Sequence, residues 1–153
     1  MRVKIIITWL FTALFFSGCM DKIDNRDLIV FNKSKSSIYS IISNDNNMNS
    51  SSYYREFGNK SKKEYSLKDS VFKFIFEEIK PNSKLFNKDR PRSWNSFFKS
   101  SKGHKLYLFI VSKDSVDKYN WYNIFKSEIY NKKYELTLDD IENKKWEIIY
   151  NND

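Results

Sequence analysis

The chain contains one cysteine, and its position limits how everything after it can fold. Cys19 follows the small pair Ser17-Gly18 and, before them, residues 5–16, a run without a single charge. Arg2 and Lys4 stand ahead of that run. As a helix those residues would rise about 18 Å, well short of the roughly 30 Å hydrocarbon core of a bilayer. A basic start, a short apolar run and small residues before a polar chain describe an export signal rather than a spanning helix. A cysteine bordering such a signal is not a core residue. The chain behind it therefore has no thiol for a disulfide, a nucleophile or a metal site, and must be held by packing alone. Its aromatic residues, including Trp94, Trp121 and Trp146, can supply that packing, because each ring buries a large area.

The stretch Phe16-Ser17-Gly18-Cys19 resembles the bacterial lipobox, with Phe16 where leucine is usual. The resemblance implies that the Cys19 thiol receives diacylglycerol and that a dedicated peptidase then cuts between Gly18 and Cys19. A thiolate is the best nucleophile a chain can offer for the first step. Acyl chains such as palmitate on the new terminus would give two or more anchors, enough for stable attachment to a membrane. The organisation expected on this basis is a signal peptide over 1–18, a lipidated polar tether over 19–26, and a single domain over 27–153. Asp21 and Asp24 lie in the tether, loosely like the acids that follow the cysteine in surface-exported lipoproteins. The expected location is the cell envelope, on the outer membrane, with either face open.

Removing residues 1–18 from the 153 leaves 135, enough for one domain with a modest core. The signal takes two of the 27 basic residues and none of the 19 acids, so the remaining charge is +6. A basic balance raises nucleic acid or an acidic membrane surface as partners. Against nucleic acid, the lysines are spread among acids, and only Arg26, Arg55, Arg90 and Arg92 follow the signal. Arginine is the side chain that bidentate phosphate contacts favour. Export also separates the protein from nucleic acid. The scarcity of Ala and Gly beside abundant Lys, Asn, Ile, Tyr and Phe reads as AT-rich codon usage.

Residues 27–32 and 37–43 read as strands around a turn at 33–36, an N-terminal hairpin. Residues 44–52 form a polar loop without periodicity. Over 65–80 a capping box at Ser66-Leu67-Lys68-Asp69 competes with a density of β-formers. The reading adopted is a short helix or irregular stretch, then a strand ending at Pro81. Residues 90–94 form a turn in which Ser93 caps a short helix through Phe98. Residues 101–103 are a turn, and 106–111, six consecutive apolar residues, fit a strand covered on both faces. A helix over 115–126 would bury Val116, Tyr119, Tyr122 and Phe125. Residues 129–136 alternate as a strand, and Thr137 with Asp139 and Asp140 opens another short helix. Residues 146–150 close as a strand with Trp146, Ile148 and Tyr150 on one face. Strands with short helices, not repeating βα units, predict a single small α+β domain. It would have a mainly antiparallel sheet and two or three short helices after the signal peptide.

The C-terminal segments Tyr119-Asn120-Trp121, Lys133-Tyr134-Glu135-Leu136-Thr137 and Trp146-Glu147-Ile148-Ile149-Tyr150, with the apolar strand over 106–111 and the upstream Ser93-Trp94, resemble a family of small uncharacterised lipoproteins of Bacteroidetes. The similarity covers roughly residues 93–150 and is weaker over 28–43. It implies an envelope lipoprotein of one domain and brings no activity with it.

No set of residues in the sequence calls for a catalytic site, a metal or a cofactor. His104, the single histidine, follows Gly103 ahead of a strand and reads as a turn or strand-edge residue. The acid pairs Glu77-Glu78 and Asp139-Asp140 suggest a glycosidase pair only if folding brings carboxylates together, since adjacent residues point apart. The three tryptophans read as core before they read as a carbohydrate platform. The turn Lys88-Asp89-Arg90-Pro91-Arg92 offers an anion or headgroup site, so Arg90, Arg92 and Trp94 form a candidate basic and aromatic surface patch. Two readings stay open. The favoured one is a non-enzymatic envelope component, anchored in the bilayer through acylated Cys19, that binds or supports an envelope protein or glycan. The other is an envelope hydrolase acting on glycan or peptide.

Overall fold

The computed structural model describes residues 24–50, 76–87, 91 and 93–152. Within them the chain is an α+β fold of six strands and three α-helices. The strands are β1 (Ile29–Asn32), β2 (Ile38–Ser43), β3 (Lys84–Phe86), β4 (Leu106–Ser112), β5 (Lys132–Leu136) and β6 (Glu147–Tyr150). The helices are α1 (Trp94–Ser100), α2 (Lys113–Ser127) and α3 (Leu138–Asn143). Two three-stranded sheets result, ordered β3-β1-β6 and β2-β4-β5. The second is wholly antiparallel, whereas β1 pairs antiparallel with β3 and parallel with β6.

The six-residue apolar run sits where its composition demands. β4 is the central strand of its sheet, and residues 106–111 are all buried. Because side chains alternate across a strand, Leu106, Leu108 and Ile110 enter one core while Tyr107, Phe109 and Val111 enter another. The first core lies between the two sheets. It joins those three residues to Val30 of β1 and to Ile148 and Tyr150 of β6, with Trp94 and Phe98 of α1 and Ile141 of α3. The second lies on the opposite face of the β4 sheet, against Val116, Trp121, Ile124 and Phe125 of α2, with Met48 and Phe76. The layers thus run sheet, core, sheet, core, helix.

Caps begin the helices where the sequence places them. Ser93 accepts from the Ser96 amide at 3.3 Å and opens α1. Thr137 and Asp140 form a reciprocal capping box at α3. Thr137 Oγ1 accepts from the Asp140 amide at 3.2 Å, and the Thr137 amide donates to Asp140 Oδ2 at 2.9 Å.

Several expectations need correction. β1 and β2 do not pair as a hairpin; they belong to different sheets. The cause is a polar corner centred on Asn32, which is fully buried. Its Nδ2 donates to the carbonyls of Ser36 and Ile79, and its Oδ1 accepts from the amide and hydroxyl of Ser34. These bonds satisfy the corner internally and send the chain into the second sheet. The sheet expected as one is accordingly two. In the 44–52 loop, Met48–Ser50 forms a 3₁₀ turn, and Met48 is buried. Of the stretch 65–80, only residues from Phe76 on fall within the described residues. There Ile79 forms an isolated antiparallel bridge with Ile38 rather than a strand.

α2 starts earlier than expected, at Lys113, and is broken at Asn120, whose φ of 58° and ψ of 163° are not helical. The break rotates the second half. Trp121, Ile124 and Phe125 face the core, while Tyr119 is exposed and Tyr122 only partly buried. Trp146 precedes β6 with φ of 64° but still packs against the first core.

Candidate functional site

The described chain begins by fastening itself to the domain. Arg26, within the stretch expected to be a lipidated polar tether, forms a fork with Asp24: Nε to Oδ1 at 3.0 Å and Nη2 to Oδ2 at 2.6 Å. Its Nη1 reaches Glu142 of α3 at 2.7 Å. The guanidinium lies 4.4 Å from the ring centroid of Trp146, a cation–π arrangement. Its carbonyl oxygen accepts from the indole Nε1 of Trp94 at 2.9 Å, and the Trp94 and Trp146 rings are 5.1 Å apart. Arg26 is held further above its ordinary pKa, chiefly by the hydrogen bonds to Asp24 and then those to Glu142. Asp24, read from the sequence as a tether acid, is thus an ion-pair partner.

The outer face of the β3-β1-β6 sheet is the second feature. Its inner residues Val30, Ile148 and Tyr150 are buried, so the alternate positions face outward. The registers place Phe86, Ile29 and Glu147 in one row across the sheet, and Lys84, Phe31 and Ile149 in the next. Phe86 is 54% exposed and Ile149 47%. Lys33 and Lys84 hold their ammonium groups 5.3 and 5.0 Å from the Phe31 ring centroid. Lys84 also pairs with Glu147 at 2.6 Å. The result is a small apolar surface carrying two ammonium groups and one carboxylate. A face with large exposed side chains beside lysines suits a surface that is apolar below and anionic above.

Gly18 and Cys19 lie outside the described residues, as do Arg90 and Arg92. Trp94 is fully buried, so it is a core residue and offers no ring to a surface ligand. That corrects its place in the candidate patch. Trp121 is likewise buried, and Trp146 is half-buried beneath Arg26.

His104, with φ of 55°, closes a 3₁₀ turn, and its Nδ1 donates to the Phe98 carbonyl at 3.2 Å. Asp140 is committed to the cap of α3, where the Thr137 hydroxyl and then its backbone N–H lower the carboxyl pKa. Glu77 is exposed and Glu78 half-buried, just ahead of the bridge at Ile79. No group of three or more His, Cys, Asp and Glu side chains converges on a metal-sized space among the described residues. Nor is any helix among them long and apolar enough to cross a membrane.

Sequence reasoning did not single out Arg26, Glu142, Phe86 or Ile149. The signal for Ile149 was present in the alternation of residues 147–150 but needed the strand register to be legible, whereas Phe86 lies in a short strand that no local pattern marks. The Arg26–Glu142 pair spans 116 positions and had no local signal. No family model, no curated protein and no solved structure matches the chain.

Proposed function

We propose that this protein is an envelope lipoprotein, cut before Cys19 and held on a membrane by acyl chains on that thiol. Its α+β domain would act as a non-enzymatic binding or structural component at the membrane. The observation that carries this reading is the single thiol standing directly behind Ser17-Gly18 and the uncharged run 5–16. Lipid attachment uses that thiol, and the domain behind it is packed around two apolar cores. The outer membrane is the proposed location, and an envelope protein or glycan the proposed partner.

The test is metabolic labelling with radioactive palmitate and fractionation of the expressing cells. The wild-type chain should label and sediment with membranes. Cys19→Ala should lose the label and leave the membrane fraction. Labelling that survives the substitution overturns the lipid-anchor reading. In-cell crosslinking of the wild-type protein, with Cys19→Ala as control, then tests for the envelope partner.

A further inference from the structure

The sheet face and the fastened N-terminal segment bear on each other. Between Cys19 and the first described residue, Asp24, the chain can extend at most about 18 Å, at roughly 3.6 Å per residue. Asp24 is not free to wander, because the Arg26 fork, its bond to Glu142 and the Trp94 indole bond tie this segment to the domain. Ile29 follows three residues later, and its amide donates to the carbonyl of Trp146, the residue beneath the guanidinium. The clamp therefore sits at the end of the sheet where the row Phe86, Ile29 and Glu147 begins its outer face.

We propose that the outer face of the β3-β1-β6 sheet rests against the headgroup layer of the membrane that holds the protein, with a preference for anionic lipid. The proposal rests on the lipid-anchor reading above. Phe86 and Ile149 contribute the apolar contact. Lys33 and Lys84 lie along the Phe31 ring, Lys84 paired with Glu147 and Lys33 placed to meet a phosphate headgroup. Glu147 offsets the Lys84 charge through their pair, and Lys33 contributes the ammonium that remains beside the Phe31 ring.

A different occupant, the chain's own residues 51–75, fits less well. Met48 and Phe76, described residues near the two ends of that stretch, both belong to the second core, beneath α2. The sheet face lies beyond the first core, on the far side of the β4 sheet.

The experiment uses the lipidated protein, purified from membranes, in nanodiscs containing a lipid with a paramagnetic headgroup. Nuclear magnetic resonance then reads which side chains lose signal. Phe86 and Ile149 should lose signal, and Tyr119, exposed on α2 at the opposite side, should keep it. The loss should be smaller in nanodiscs of neutral lipid. The double variant Phe86→Ser, Ile149→Ser, altered only at exposed positions, should keep the wild-type melting temperature and lose the contrast.

Equal losses at Phe86 and Tyr119, or a larger loss at Tyr119, would overturn the proposal. Changes at Phe86 that need no membrane and grow with protein concentration would assign the face to a second copy instead. A crosslink from this face to another envelope protein, with no paramagnetic loss, would assign it to that partner. If palmitate labelling has already failed, coupling the Cys19 thiol of the full chain to a maleimide lipid supplies the anchor. The face is then tested independently of the lipoprotein reading.

Discussion

The Arg26 guanidinium lies 4.4 Å over the ring of Trp146, on a residue pair that brackets nearly the whole folded domain. Beneath it the Trp94 indole donates to the Arg26 carbonyl, so one residue is held by its side chain and its backbone at once. Both contacts are partly buried, although the Trp94 ring itself lies wholly within the core.

Arg26→Ala should therefore cost about 1 kcal/mol, most of it from the lost stacking. The ion pairs to Asp24 and Glu142 add little, because the Arg26 side chain is 39% exposed and salt screens them. Arg26→Lys should recover part of the charge but not the fork. Urea denaturation at low and high salt separates the two contributions. A loss confined to low salt would assign the effect to the ion pairs.

Substitutions at Trp94 should be far more costly. Trp94→Ala empties a fully buried site and should destabilise the domain by about 3–5 kcal/mol. Trp94→Phe keeps most of the ring but leaves the Arg26 carbonyl without its indole donor. A cost of about 1–2 kcal/mol follows. Calorimetry on both variants checks the ratio.

Asn120 has backbone angles that suit glycine, and its Oδ1 accepts from the Asn123 amide at 3.0 Å. Asn120→Gly relieves strain of about 1 kcal/mol and gives up only a few tenths of a kcal/mol as a cap. The variant should melt higher than wild type. Asn120→Ala keeps the strain and loses the cap, and should be destabilised by about 1 kcal/mol. A lower melting temperature for the glycine variant would contradict this account of the break.

The α3 cap should respond to acid. Asp140 is held below the usual carboxyl pKa by the Thr137 hydroxyl and then by the Thr137 amide. A carboxyl lowered in the folded state contributes stability that is complete above its unfolded value, near 4. That contribution is lost as pH falls through the lower, folded value. The protection factors of the Thr137 and Asp140 amides, exchange rates corrected for the intrinsic pH dependence, should fall over that acidic range, and Asp140→Asn should remove the transition. Thr137→Ala should weaken α3 at every pH, by about 1 kcal/mol.

Much of the fold was legible where the deciding interaction is local. Ser93, Thr137 and Asp140 act on backbone groups three residues away, and those caps stand where the sequence predicts them. The run 106–111 is apolar at every position, as suits a strand covered on both faces, and all six residues are buried. Trp94 read correctly as core, yet its place in a surface patch with Arg90 and Arg92 did not follow. A residue at a turn can still point its ring inward.

The phase of α2 was misread for a related reason. Periodicity assumes an unbroken helix, and the turn at Asn120 moves Tyr119 and Tyr122 off the buried face.

What the sequence determined by itself was the type of most of the short elements, β3 and the bridge at Ile79 excepted, the caps at Ser93 and Thr137, and the absence of any thiol beyond Cys19. Those depend on side-chain periodicity and on bonds spanning a few residues. Only the tertiary structure decided which strands are neighbours. β1 and β2 looked like a hairpin, but the buried amide of Asn32 bonds Ser34, Ser36 and the distant Ile79 and turns the chain into a second sheet. The same holds for the outer face of the first sheet. Phe86, Ile29 and Ile149 come from three separate stretches, and strand register alone sets them side by side. Pairing between distant segments depends on burial and hydrogen bonding across the whole domain, which no local pattern encodes.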